Sequence, residues 1–342
     1  MGLRTTWTAL ILGVAVTAAS ASQEANDALA TARALIQQGR NEEAITELKR
    51  LAALDPKAKG VNHELGVAYY HENAYLNAAQ YLVLALQENA NDHDAAQLLG
   101  LSYYAVGRPA DAIPALEKVH AWYPNANIDA IYVLGICYAL TKRYPEARRT
   151  LARLYRVPED SAAAHLMLAS VLAKLVRQGF DLVAESEARR ALELASTLPL
   201  AHFILGEFCV YKADYACAVG EYEAELAINP AYAPALSHLG EVYWRLSRYD
   251  ESEDAVQRAL WLDSTSAEPY VILGKVFFKK RQWMTAEHML QRAVTGDPSN
   301  YTAHYFLAQV YKATGNSEAA EREMSIAIRL QEKQGVNQGR VR

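Results

Sequence analysis

Nine histidines and three cysteines are the side chains of this 342-residue chain best suited to metal binding or nucleophilic chemistry, so their spacing comes first. His63 is followed by Glu64, but the next histidine is His71, eight residues on. A two-histidine zinc helix needs the pair four apart on one face, with a glutamate between them. His165, His202 and His304 recur at one position of a longer pattern, where Tyr270 also stands. They read as packing residues rather than ligands, so no metal or cofactor site is assigned. Glycine-rich phosphate loops and serine-elbow motifs are absent, and no catalytic residue is assigned. Asn300-Tyr301-Thr302 matches a glycosylation sequon, which matters only in a eukaryotic secretory pathway. Of the cysteines, Cys209 falls late in one expected helix and Cys217 early in the next, so antiparallel pairing brings them near each other. They form a candidate disulfide in an oxidising compartment; two small buried hydrophobes is the alternative reading. Cys137 has no evident partner.

The elements that position these residues repeat. The stretch from Ala267 to Asn300 carries Leu273, Gly274, Phe277, Ala286, Leu290, Ala293 and Pro298, and this pattern returns throughout the chain. The small residues Ala32, Gly66, Gly100, Gly135, Ala169, Gly206, Gly240, Gly274 and Ala308 mark it, 34 residues apart except for steps of 35 and 37. Each unit reads as two helices and a stop. In the first helix, positions three before, at and three after the small residue share one face. Ala44, Ala78, Ala112, Ala147, Ala184, Ala218, Ser252, Ala286 and Ala320 sit at the matching place of the second helix and permit close approach. The set Leu35, Tyr69, Tyr103, Tyr138, Leu172, Cys209, Tyr243, Phe277 and Tyr311 fills the seam, and Pro56, Pro124, Pro230 and Pro298 stop second helices. A lone hairpin has nothing to bury its apolar faces against, so neighbours must stack.

This period, with Leu-Gly, Tyr, Ala and Pro at these offsets, resembles the tetratricopeptide repeat family. The resemblance implies an all-α, right-handed α-solenoid of about nine antiparallel helix pairs. The expected repeats are 25–58, 59–92, 93–126, 128–161, 162–198, 199–232, 233–266, 267–300 and 301–334. The extra residues lie near Asn125-Ala126-Asn127 and around Leu175 to Val183, including Gly179. Without a terminating proline, the last helix is expected to run to about Lys333, leaving 335–342 as a disordered tail.

The repeat leaves no room for a separate catalytic domain, so the expectation is a non-enzymatic protein-binding scaffold. The alternative is an accessory module of an envelope transferase or peptidase system. A net charge of −5 argues against nucleic acid as a partner. Arg4, an apolar stretch from Trp7 to Ala19 and the ending Ala19-Ser20-Ala21 read as a secretory signal over 1–21. Its apolar centre is short for a membrane span. The mature chain is therefore expected to start at Ser22, exported to the periplasm or exterior and not stably inserted in a membrane, with an uncleaved anchor as the alternative; oligomeric state stays open.

In proteins of this kind the first helices line a concave side. Positions three before and one, four and five after the small residue then face a peptide groove. The earlier repeats place Val67, Tyr70, Leu101, Tyr104, Tyr132, Ile136, Phe203, Val210 and Tyr211 there, a largely apolar lining. The later ones place Glu241, Trp244, Arg245, Lys275, Phe278, Lys279 and Lys312, mixing charge with rings. Aromatics and arginine dominate interface hot spots, although single tyrosines also pack between repeats. The family's carboxylate clamp is not carried over, because its positions hold Leu29, Arg33 and Glu64.

Overall fold

The computed structural model describes residues 26–56, 58–124, 128–175 and 181–339. The expected signal, the tail beyond 339 and the irregular stretches at 125–127 and 176–180 lie outside the described residues. Among them are eighteen helices and no strand. The chain divides into two compact units, Met1–Asp160 and Ser161–Arg342.

The first unit holds α1 (26–37), α2 (Asn41–Leu54), α3 (Val61–His71), α4 (Tyr75–Glu88), α5 (His93–Ala105), α6 (Pro109–Trp122), α7 (Ile128–Leu140) and α8 (Tyr144–Leu154). The second holds α9 (Ala162–Lys174), α10 (Asp181–Leu194), α11 (Ala201–Tyr211), α12 (Tyr215–Ile228), α13 (Ala233–Arg245), α14 (Tyr249–Leu262), α15 (Glu268–Lys279), α16 (Trp283–Gly296), α17 (Tyr301–Ala313) and α18 (Ser317–Gly339). From α3 on, every odd-numbered helix within a unit packs on the even-numbered one that follows, and successive pairs stack; Leu29 and Ala32 of α1 share a core with Leu48 and Leu51 of α2. None of the described helices is long and apolar enough to cross a membrane. α18 continues past Lys333, where the sequence reading ends it: no proline intervenes, and Gln334 and Gly335 do not stop it.

The small marker residues do what their spacing implies. A methyl group on Gly274 would lie 2.5 Å from the Leu290 side chain, and one on Gly206 would lie 2.4 Å from the Tyr222 ring. The first helix therefore approaches its partner where the partner's large buried residue fills the space a side chain would need. Ala44, Ala78, Ala112, Ala147, Ala184, Ala218 and Ala286 are fully buried, as are Leu82, Leu168 and Leu172, so these seams are dry.

The turn inside the pairs also repeats, from α1–α2 to α7–α8 and from α11–α12 to α17–α18. The Arg108, Arg143 and Arg248 amides donate to the carbonyls of Tyr103, Tyr138 and Tyr243, each at 2.8 Å. The residue before each arginine is left-handed, with φ of 72° at Gly107, 62° at Lys142 and 61° at Ser247. This is the Schellman closure that satisfies the last carbonyls of a helix. Each guanidinium then lies over the ring of the same tyrosine, 4.9, 4.5 and 4.3 Å from its centre, and pairs with Asp111, Glu146 or Glu251 three residues on. Pro56, Pro124, Pro230 and Pro298 all fall in the turns after second helices.

Candidate functional site

A cleft of about 680 Å³ opens in the second unit, within the range of ligand pockets. α9 contributes Ser170, Ala173 and Lys174, and α11 contributes Phe203, Ile204, Glu207, Phe208, Val210 and Tyr211; Leu200 and Tyr232 come from the turns before α11 and α13. Ile204 and Phe208 are buried, whereas Tyr211 is 59% exposed. Phe203 meets the Tyr232 and His238 rings edge-on, each at 5.2 Å between centres.

A buried carboxylate sets this face of α11. Glu225, fully buried on α12, accepts the Leu200 amide at 2.8 Å and the Phe203 amide at 3.3 Å. It satisfies two of the amides that a helix start leaves without partners. Leu200 itself sits at φ 73°, so the chain turns sharply into α11 there.

Glu207 supplies the charge. Its Oε1 accepts a hydrogen bond from the Tyr222 hydroxyl and lies 2.6 Å from His238 Nδ1. Burial pushes the Glu207 carboxyl up, but His238 and Tyr222 outweigh it and hold the group below the usual carboxylate range. Burial likewise pushes His238 down, and Glu207 outweighs that, leaving the imidazole above its usual value. The Tyr222 phenol is driven far up, by burial first and the Glu207 charge second.

The groove residues expected from sequence fall into three groups. Phe203, Val210 and Tyr211 line the cleft. In the first unit Val67, Tyr70, Leu101, Tyr104, Tyr132 and Ile136 are half-buried on α3, α5 and α7, with Tyr70 also edge-on to Tyr75 at 5.4 Å. Arg245, Lys279 and Lys312 are exposed, but Trp244 and Phe278 are half-buried and pack edge-on against Phe306 at 6.3 and 5.6 Å. Lys275 corrects the expectation of a groove-lining charge. It is 6% exposed and bound to Glu241, because the position after the small residue is covered here by the neighbouring repeat.

The recurring histidines carry partners that sequence reasoning missed. His165, His202 and His304 place Nδ1 at 2.6, 2.7 and 2.6 Å from Glu187, Glu221 and Glu323. Each glutamate stands three places after the small residue of the second helix, so the pair recurs as strictly as the histidine does. Among the described residues no group of three or more His, Cys, Asp or Glu is placed to hold a metal. Cys209 and Cys217 are joined as a disulfide across the α11–α12 turn, with Cα atoms 5.6 Å apart. Cys137 is buried, and burial pushes its thiol up to about 12. At the clamp positions, Leu29 is buried, and Arg33 Nε lies 2.5 Å from Glu64 Oε1.

Models of the tetratricopeptide repeat match residues 103–175, 209–269 and 273–334, and a TPR repeat model matches residues 32–72. Comparison with curated protein sequences gives no match. Among solved structures, the APC/C hetero-tetramer Cut9-Hcn1 aligns over 83% of this chain and 55% of that one, at 18% identity and a TM-score of 0.46. Pseudomonas aeruginosa pilF aligns over 61% and 96%, at 19% identity and a TM-score of 0.49. YrrB, described as a TPR protein with an unusual peptide-binding site, aligns over 57% and 93%, at 22% identity and a TM-score of 0.43.

Proposed function

Since this chain belongs to the tetratricopeptide-repeat family, we propose that it is a non-enzymatic scaffold of the cell envelope that docks a segment of a protein partner on the inner faces of its first helices. The cleft of the second unit carries this reading. It is an open, aromatic-lined concavity built on regular helices, with Tyr211 exposed at its edge. Half-buried Tyr104 and Tyr132 offer the first unit a similar lining, and exposed Arg245, Lys279 and Lys312 are suited to steering an acidic stretch of the partner. Export is part of the proposal. Arg4, the Trp7–Ala19 stretch and Ala19-Ser20-Ala21 motivate it, and the Cys209–Cys217 bond suits an oxidising compartment.

A photo-cross-linking residue at position 211, compared with one at Trp261 on α14, tests the docking face in the native host; Trp261 is 86% exposed. A discrete cross-linked protein from position 211 and none from position 261 is the expected result. The opposite pattern would move the binding face elsewhere. N-terminal sequencing of the same protein is expected to begin at Ser22, and a chain that begins at Met1 would refute cleavage after Ala21.

A further inference from the structure

Glu207 stands in the middle of an aromatic stripe. It follows Phe203 by four residues and precedes Tyr211 by four, so the three share one face of α11, and all three line the cleft. The Tyr222 hydroxyl and His238 Nδ1 both engage Oε1, and no donor among the described residues reaches Oε2. The side chain keeps 40% of its surface exposed. One oxygen is thus fixed by the protein while the other is open to whatever enters.

An incoming group must satisfy that oxygen. An acidic group would be repelled by it, and an apolar one would strip its water without giving a donor in return. A cationic head meets both needs, and the Phe203 and Tyr211 rings, one helical turn away on either side, add the attraction of π faces for cations. The aliphatic stem of such a side chain suits the apolar wall of Leu200, Ile204 and Phe208. Lys174, at the mouth, is exposed, so its repulsion is screened by water, and it favours any acidic neighbour lying outward.

We propose that the cleft selects a partner segment through a lysine or arginine flanked by apolar residues, whose cationic head binds Glu207 Oε2 between Phe203 and Tyr211. The inference rests on the reading of this cleft as the docking site.

Three short fluorescent peptides separate the two ideas. They share leucine, alanine and phenylalanine around a central lysine, norleucine or glutamate, and their binding to the full chain is read by anisotropy. The lysine peptide is expected to bind about tenfold tighter than the norleucine peptide, with the glutamate peptide weaker still. Glu207→Gln keeps an acceptor for Tyr222 and His238 but removes the charge, so the preference for lysine is expected to vanish while apolar binding persists. Phe203→Ala is expected to weaken all three. Equal binding of the lysine and norleucine peptides by the unaltered chain overturns the cationic anchor, whether or not the variants fold. If Phe203→Ala still weakens both, the docking reading survives that loss. Failure of the unaltered chain to bind any of the three overturns both.

Discussion

Lys275 Nζ lies 2.5 Å from Glu241 Oε2 and 3.8 Å from the centre of the Trp244 ring, tying two repeats together through residues 34 apart. The ammonium has exchanged water for one carboxylate and one ring. Burial pulls the amine below its usual range, and Glu241 restores part of the shift. Arg245 Nη2 holds the other Glu241 oxygen at 3.2 Å. Removing one member of a buried pair typically costs about 3–5 kcal/mol. Because Glu241 keeps some solvent and Arg245, Lys275→Ala is expected to cost about 2–3 kcal/mol, read as a lower urea midpoint. Replacing both residues by methionine is expected to recover most of that loss, and an unchanged midpoint for Lys275→Ala would contradict the buried role.

Two glycines of one helix pair should respond in opposite directions to alanine. At Gly206 the new methyl would meet the Tyr222 ring at 2.4 Å, and Tyr222 is fully buried. Gly206→Ala is therefore expected to destabilise by about 1–3 kcal/mol despite alanine's better helix propensity. Gly220 on α12 has nothing within 4 Å, so Gly220→Ala is expected to stabilise by about 0.5–1 kcal/mol. Urea midpoints of the two variants decide both, and a destabilised Gly220→Ala would show that the exposed face of α12 is covered.

These positions explain how much was legible in the sequence. The helix pairs were legible because Gly206, Gly274 and their equivalents answer a steric demand that recurs with every pair. The cleft was legible in part. Phe203, Val210 and Tyr211 follow from helical offsets, and the same offsets reach Glu207, whose charge sets it apart from the apolar lining around it. Leu200 and Tyr232 enter from turns, where no periodicity operates. The burial of Lys275 was not legible, because an offset gives the direction a residue leaves its helix and not what the next repeat lays over it. The histidine pattern was visible, but its glutamate partners lie on another helix at another offset, so the pairs emerge only when the two are compared.

The Cys209–Cys217 bond closes a loop of only a few residues, so it constrains the unfolded chain by about 2–3 kcal/mol. It also fixes the end of α11 next to Val210 and Tyr211. Reduction is expected to speed amide exchange at the α11–α12 turn while leaving the first unit unchanged. Hydrogen exchange with and without a reductant checks this, and uniform loosening of both units would argue against a local role.

The pairing of His238 with Glu207 makes a prediction with a definite sign. The folded pKa of His238 is raised, so its share of stability is complete below the unfolded value near about 6.5 and is lost as pH rises through the folded value. That of Glu207 is lowered, so its share is complete above about 4.5 and is lost as pH falls through the folded value. The two windows overlap between about 4.5 and 6.5, where His238→Gln is expected to show its largest stability deficit. The deficit should shrink above neutrality. By NMR, His238 is expected to titrate above a free histidine. In Glu207→Gln its midpoint is expected to fall, since burial then acts against the charged ring with only the more distant Glu268 and Glu241 opposing it. A His238 midpoint that does not move in Glu207→Gln would mean that the carboxylate is not what holds the proton there.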